Sequence, residues 1–532
     1  MASPSAVPRA PVNKWLVALS VTFGTLMGTI DSSIVNVAVP HLRGSLGATV
    51  EEITWVSTGF IIANVIVMPL TAFLGRFFGQ KRVYMAALAL FVIGSGMCGL
   101  ARTLPMLVFF RLIQGLGAGA LQPTEQAILR QTFPPKEQGM AMALFGVAVV
   151  IGPAFGPTLG GYIVDNYSWP WIFYINLPVG VLALYMVHTF VHEPDDIREA
   201  NAIMAEKQRK HMDWAGIALL ALGIACLQYV LEEGSKDDWF DSKVISACAA
   251  VSVVALAAFV IRELTATVPA VNLSLFKDPI FTAGTVITAV MFGLLFSLTF
   301  LLPVFMQEVL GFTAMQSGIA LMPRSLVMML MMPIVGRVYN FVSPRVTVAF
   351  GVILFSITAL MMSHYTLATG TGDIMAVLVL QGIAFSCLWI PLTTVSLASI
   401  PRNKLADATG LSSLLRQIGG SLGLAVFASL IPRYTKQATA SIASHLTSTP
   451  EISRRLSGVA HALQARGLDP WSAQMAAKRA LGGAVAQQAI VLTFEKLFLL
   501  GGILFLAVLP LLLFLKSPDH GDKVKVDVHV EI

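Results

Sequence analysis

The sequence predicts an all-α polytopic membrane protein with fourteen spanning helices. Of its 532 residues, 56% are hydrophobic and only 12% are charged, against roughly 25% charged in soluble globular chains. So few charges cannot clothe a water-facing surface, and lipid must be the solvent for most of the chain. The apolar residues gather into runs of the length a helix needs to cross a bilayer, about 20 residues. Basic residues cluster in alternate loops, the asymmetry that sets orientation in a membrane.

The runs are 15–39, 54–74, 82–101, 104–129, 139–163, 171–191, 214–232, 245–263, 281–306, 314–336, 346–367, 374–398, 409–431 and 496–516. They are called spans 1 to 14 below. In hydrocarbon an unbonded backbone group is too costly, so each run must be a continuous helix. The alternating pattern of membrane barrel strands, in segments of about 10 residues, is absent. Span 1 exceeds the apolar core of a signal peptide and lacks a small-residue cleavage site, so it is expected to be retained.

One set of loops collects Lys14, Arg76, Lys81, Arg82, Arg130, Lys136, Lys207, Arg209, Lys210, Arg337, Arg345, Arg402 and Lys404. The short loops of the other set hold little beyond Arg43, Arg102, Lys236 and Lys243. Both termini are therefore expected on the cytoplasmic side, which requires an even number of spans. The net charge of +6 resides in these topology signals and does not point to nucleic acid.

An echo of Pro69-x-x-Ala72 before Gly79-Gln80-Lys81-Arg82 recurs as Pro333-x-x-Gly336 before Ser343-Pro344-Arg345. Such an internal repeat suggests two six-span halves, with spans 7 and 8 inserted between them. The expected divisions are a cytoplasmic N-terminus (1–14), a first six-helix bundle (15–191) and an inserted pair with its flanking loops (192–280). A second six-helix bundle (281–516) and a cytoplasmic tail (517–532) follow. The segment 432–495 is the one long stretch on the outer face. Within it, Asp469-Pro470 reads as an N-cap with proline at the first helical position, ahead of a helix over 471–490.

Charges inside spans carry the chemistry. Asp31 in span 1 costs roughly 2.5–3.5 kcal/mol to insert, so it is expected to face an aqueous cavity and to have a partner. Burial disfavours its charged form and a nearby cation favours it; that balance lets an acid exchange protons. Arg111 in span 4 falls at a similar depth and is the expected partner. Being permanently charged, it can tune the acid but not carry its proton. Gln114 follows one turn later. Gln114 in span 4, Arg416 and the adjacent Gln417 in span 13, and Asn36 in span 1 are candidates for lining the cavity and touching substrate. For Arg416, snorkelling to the interface is an equal alternative. Glu125, deep in span 4, is expected either to pair with Arg76 or to be a second titrating acid.

Span 5 carries Gly152, Pro153, Gly156, Pro157, Gly160 and Gly161. The glycines at 152, 156 and 160 form one smooth stripe, and the prolines remove backbone donors and bend the helix. The expectation is a sliding seam between the halves. The four cysteines lie in separate runs with no metal-ligand or disulfide spacing. No metal site, phosphate loop or nucleophilic triad emerges, so the chain reads as a non-enzyme without a cofactor, driven by an ion gradient.

Taken together, these residues resemble the major facilitator superfamily, specifically its fourteen-span drug:proton antiporters of the EmrB/QacA type. Asp31 to Pro40 resembles the family's first-span motif, Arg111 to Gly119 its Arg-x-x-Gln-Gly motif, Gly152 to Gly161 its antiporter motif, and Trp169 to Gly180 its entry to span 6. The resemblance implies the major facilitator fold and alternating-access export of hydrophobic small-molecule drugs in exchange for protons. The long outer segment is more similar to EmrB-like members. That similarity implies a Gram-negative inner membrane, a periplasmic adaptor (an EmrA-like membrane fusion protein) and an outer-membrane channel. The loop between spans 2 and 3 departs from the family's Gly-x-Leu-Ala-Asp-Arg-x-Gly-Arg-Lys. Ala72, Arg76 and Phe77 replace its first glycine, acid and arginine. The cytoplasmic gate of Arg76, Gly79, Lys81 and Arg82 must therefore latch otherwise, through Glu125, or latch less firmly. A proton-coupled uptake symporter for an organic solute and a non-transporting receptor or scaffold are the rival functions. The antiporter motif weighs against the first, and the Asp31–Arg111 pairing against the second.

Overall fold

A computed structural model of the chain describes residues 13–194, 197–199, 201, 205–206, 213–266, 269–446 and 450–514. Fourteen helices among them are long and apolar enough to cross a membrane, one for each apolar run. The tail 517–532, all but the last two residues of the expected N-terminal region 1–14, and Lys207, Arg209 and Lys210 lie outside the described residues.

Local signals set the helix ends. Span 1 (Lys14–Leu46) starts where the Asn13 side chain accepts from the Trp15 amide, and stops at Gly47 in the left-handed region. Span 2 opens with a capping box between Thr49 and Glu52. Pro69 interrupts it in a short 3-10 turn, Met68–Leu70, before the helix resumes over Thr71–Phe78. Gly79, at φ 89°, then makes the turn into span 3 (Gln80–Gly99); a side chain there would be strained.

Spans 1 to 6 and spans 9 to 14 form two helical bundles with their own apolar interiors. The second is filled by residues such as Phe305, Phe355, Phe498 and Phe505. The first bundle's core continues across to Met332 and Trp389 of the second. Glycines set how closely the bundles approach. A methyl group on Gly139 of span 5 would stand 2.6 Å from the Gly336 carbonyl of span 10, and one on Gly336 2.8 Å from that of Gly139. Gly139→Ala is therefore expected to hold this end of the seam ajar. Disulfide trapping between Arg76→Cys and Asp407→Cys in that background would then fall, and an unchanged trapping yield would refute the tight seam.

The inserted pair, Trp214–Glu233 and Lys243–Thr265, lies beside the flank where span 2 meets span 13. Span 7 is tied to the first bundle by Thr58 donating to Glu233 at 2.8 Å and by stacking of Trp55 on Tyr229. It is tied to the second bundle by Gln228 donating to Ser421 at 2.7 Å. The Trp239 indole, in the turn after span 7, adds a bond to Ser429 at 3.0 Å.

The segment 432–495 contains the expected helix over 471–490 and is helical well beyond it. Span 13 runs unbroken from Leu405 through Pro432 to Leu446, a second helix covers Pro450–Gln464, and span 14 begins at Pro470. The apolar run marks only the part of each helix in lipid, whereas helical bonding continues into water. The expected cap is present: Asp469 accepts from the Trp471 and Ser472 amides at 3.0 Å. Those bonds, led by Ser472, hold its carboxyl below the ordinary value. The cap is therefore complete at neutral pH and is lost as acid protonates Asp469.

Candidate functional site

Asp31 and Arg111 meet as expected, at 2.6 Å. The carboxylate holds three donors: Arg111 Nη1 on Oδ2, and Gln114 Nε2 and Asn176 Nδ2 on Oδ1, both at 2.9 Å. Arg111 also donates to the Val56 carbonyl at 3.1 Å and to Gln114 Oε1 at 2.8 Å. Its guanidinium lies 4.1 Å from the centre of the Phe60 ring. Asn176 is fixed in turn by Ser95 at 3.0 Å. Spans 1, 2, 3, 4 and 6 thus converge on one acid, and every partner belongs to the first bundle.

The pair does not line a cavity. Asp31 is 0% and Arg111 1% exposed, and Gln114 is sealed beside them. The expectation that Asp31 faces water and Gln114 faces substrate is corrected for this conformation. With three donors on the carboxylate and the guanidinium opposite it, the pair escapes the large cost of an unpaired buried charge.

At the end where the basic loops lie, hereafter the basic face, the two bundles are bonded together. Arg76 Nη1 donates to both Asp407 oxygens, at 2.6 and 2.7 Å, linking span 2 to span 13. Arg130 donates to the Thr394 carbonyl at 3.2 Å, and Arg402 to the Gln131 carbonyl at 2.7 Å. Arg76 is thus the one gate candidate that crosses the seam. Gly79 serves the turn, Lys81 donates to the His188 carbonyl of its own bundle at 2.6 Å, and Arg82 is exposed.

Glu125 does not pair with Arg76. It is fully buried, with Thr22 donating to one carboxyl oxygen at 3.1 Å and Thr25 to the other. Arg416 proves to be a seam residue rather than an interface one. It reaches Gln122 of span 4 at 3.5 Å and Ser413 at 3.3 Å, between the Phe292 and Trp389 rings, each 5.5 Å away. Gln417 beside it is half-buried, and Asn36 is exposed, accepting from Ser57 at 3.4 Å.

The span 5 stripe also faces elsewhere than expected. A methyl group on Gly152 or Gly156 would collide with Thr29 or Ser33 of span 1, and one on Gly160 would press on Ile34. The stripe therefore packs spans 5 and 1 within one bundle, and Gly139 makes the seam. Pro153 is exposed, Gly161 faces open space, and Pro157 lies against Gly318 of span 10.

The model of the Major Facilitator Superfamily matches residues 21–424. The chain belongs to the major facilitator superfamily. It is 33% identical over 505 residues to the multidrug export protein EmrB of Escherichia coli K12, covering 94% of this chain and 95% of that protein. It is 33% identical to the fatty acid resistance protein FarB of Neisseria gonorrhoeae, covering 95% and 96%. Two solved structures share the fold. The human organic anion transporter MFSD10 matches with a TM-score of 0.60 at 16% identity, covering 93% of this chain and all of that one. The proton:xylose symporter XylE matches with a TM-score of 0.58 at 14% identity, covering 93% and 96%. This superfamily member is thus a multi-pass membrane transporter of the EmrB type and not an enzyme.

The major facilitator site includes residues that sequence reasoning missed. Asn176 lies in the span 6 motif, where its amide next to apolar neighbours was the available signal. Asp407 sits at the start of span 13, just beyond Arg402 and Lys404, and only the fold brings it to Arg76.

Proposed function

We propose that the protein is a proton-coupled multidrug efflux transporter that exports hydrophobic small molecules by alternating access. The observation that carries this reading is the buried Asp31–Arg111 pair. Protonating Asp31 cancels the charge that holds Arg111, while Gln114 and Asn176 remain available as hydrogen-bond partners. The acid's state therefore sets how tightly spans 1 and 4 are held together. With the basic face closed by Arg76 and Asp407, Asp31 is sealed; proton exchange belongs to a conformation in which the bundles have rocked apart.

The basic face is the cytoplasmic one on the loop-charge argument, with both termini there and the protein in the inner membrane. EmrB, a multidrug export protein by name, is similar over nearly the full length, which supports drug efflux. The helices that project past span 13 and before span 14 suit docking of a periplasmic adaptor leading to an outer-membrane channel. In proteoliposomes under an imposed pH gradient, lipophilic substrate is expected to move against the proton flow. Movement in the same direction would mean an uptake symporter, and proton flux blind to every substrate would mean that the protein transports none of them.

A further inference from the structure

Glu125 is the buried acid that the Asp31 mechanism leaves unused. On span 4 it lies fourteen residues past Arg111, roughly 21 Å nearer the basic face. Both its oxygens meet hydroxyls of span 1, from Thr22 and Thr25. Among the described residues no cation is paired with it, and its expected partner Arg76 is held by Asp407. The other elements packed on this stretch supply no compensating positive charge to the carboxyl. Span 3 presents Tyr84, whose hydroxyl bonds the Val21 carbonyl. Span 2 presents the neutral Asn64 against Gly119, and span 5 presents Met142 to Gln126. The guanidinium of Arg416, from span 13, is directed to Gln122 and Ser413.

An ionised carboxyl in such a place would be an uncompensated charge away from water, which neutralises if it can. Hydroxyls suit either state, because each can donate to a carboxylate or rotate to accept from a carboxylic acid. Gln122 is three residues before Glu125, so the two are neighbours on the helix surface. Since Gln122 touches Arg416 of the other bundle, Glu125 stands next to the seam that opens when the bundles separate. Pro123 between them removes a backbone donor within the helix.

We infer that Glu125 is a second exchange site, in which the carboxyl trades its proton for a lipophilic cation entering from the basic face. The O–H bond breaks, the proton passes to water at that face, and the carboxylate pairs with the cation without covalent change. This inference rests on the efflux reading and adds a substrate class to it: lipophilic cations.

Tetraphenylphosphonium and an uncharged hydrophobic dye separate the possibilities in proteoliposomes of the full chain. For Glu125→Gln the ratio of cation to dye transport is expected to fall at least about tenfold, the effect of losing the charge attraction between the cation and the carboxylate. Glu125→Asp should recover part of it. In lightly buffered detergent solution, tetraphenylphosphonium should release protons from the intact protein and fewer from Glu125→Gln. An unchanged ratio with unchanged proton release overturns the exchange site while leaving efflux standing. Equal loss for both probes also overturns it, assigning Glu125 a structural role. If the intact protein does not move tetraphenylphosphonium, this inference falls, whereas the efflux reading falls only if no lipophilic substrate moves.

Discussion

The Asp31→Asn protein is expected to reach the membrane yet show no proton-driven efflux above that of vesicles lacking the protein. Asparagine keeps the shape of the side chain and can still accept from Arg111, but it cannot exchange a proton. It also leaves Arg111 as a buried cation without its counter-charge, and breaking such a pair costs about 3–5 kcal/mol. A loss of activity alone would therefore not separate coupling from folding. The double variant Asp31→Asn, Arg111→Gln does so, because removing both charges relieves the unpaired cation. Its thermal stability in detergent is expected to recover toward that of the intact protein, while coupled efflux stays absent. Proton-driven efflux by Asp31→Asn at the intact rate would remove Asp31 from the mechanism.

The second large effect is expected at the clasp between Arg76 and Asp407. Both side chains are mostly shielded from water, at 13% and 5% exposure, so screening by solvent is limited. A hydrogen bond to a charged group is worth roughly 1.5–3 kcal/mol, which corresponds to a bias of about 10- to 150-fold toward the closed basic face. Asp407→Asn should release that bias. Cys387, buried in the core cluster that spans the seam, is a built-in reporter: its alkylation by a membrane-permeant maleimide should accelerate. Exchanging the charges with Arg76→Asp and Asp407→Arg should slow it again. If alkylation does not change in Asp407→Asn, the bond does not govern closure.

Much of the fold was legible because lipid imposes strict rules. A chain with so few charges has few alternatives to spanning helices, and all fourteen runs became helices. The Asp31–Arg111 pair was legible for the same reason, since charges in hydrocarbon require partners. What was not legible depended on which neighbour a helix face meets. The spacing of Gly152, Gly156 and Gly160 shows a smooth stripe, but periodicity does not reveal whether span 1 or the opposite bundle lies against it. Nor could sequence choose between Glu125 and Asp407 as the partner of Arg76, because that contact joins residues far apart in the chain. The apolar runs of spans 13 and 14 are shorter than their helices because hydropathy ends at the membrane surface while helical hydrogen bonding does not.

Span 7 has one more consequence. It grips the first bundle through Thr58 and Trp55 and the second through Ser421, at the end of the molecule remote from the Arg76 clasp. On the proposed alternating-access motion, tilting the bundles would load this bridge as it unloads the clasp, much as a seesaw shifts weight between its two ends. Thr58, Trp55 and Ser421 form no hydrogen bond with Asp31 or Arg111, so substitutions in this bridge are expected to shift that balance without altering the buried acid's own partners.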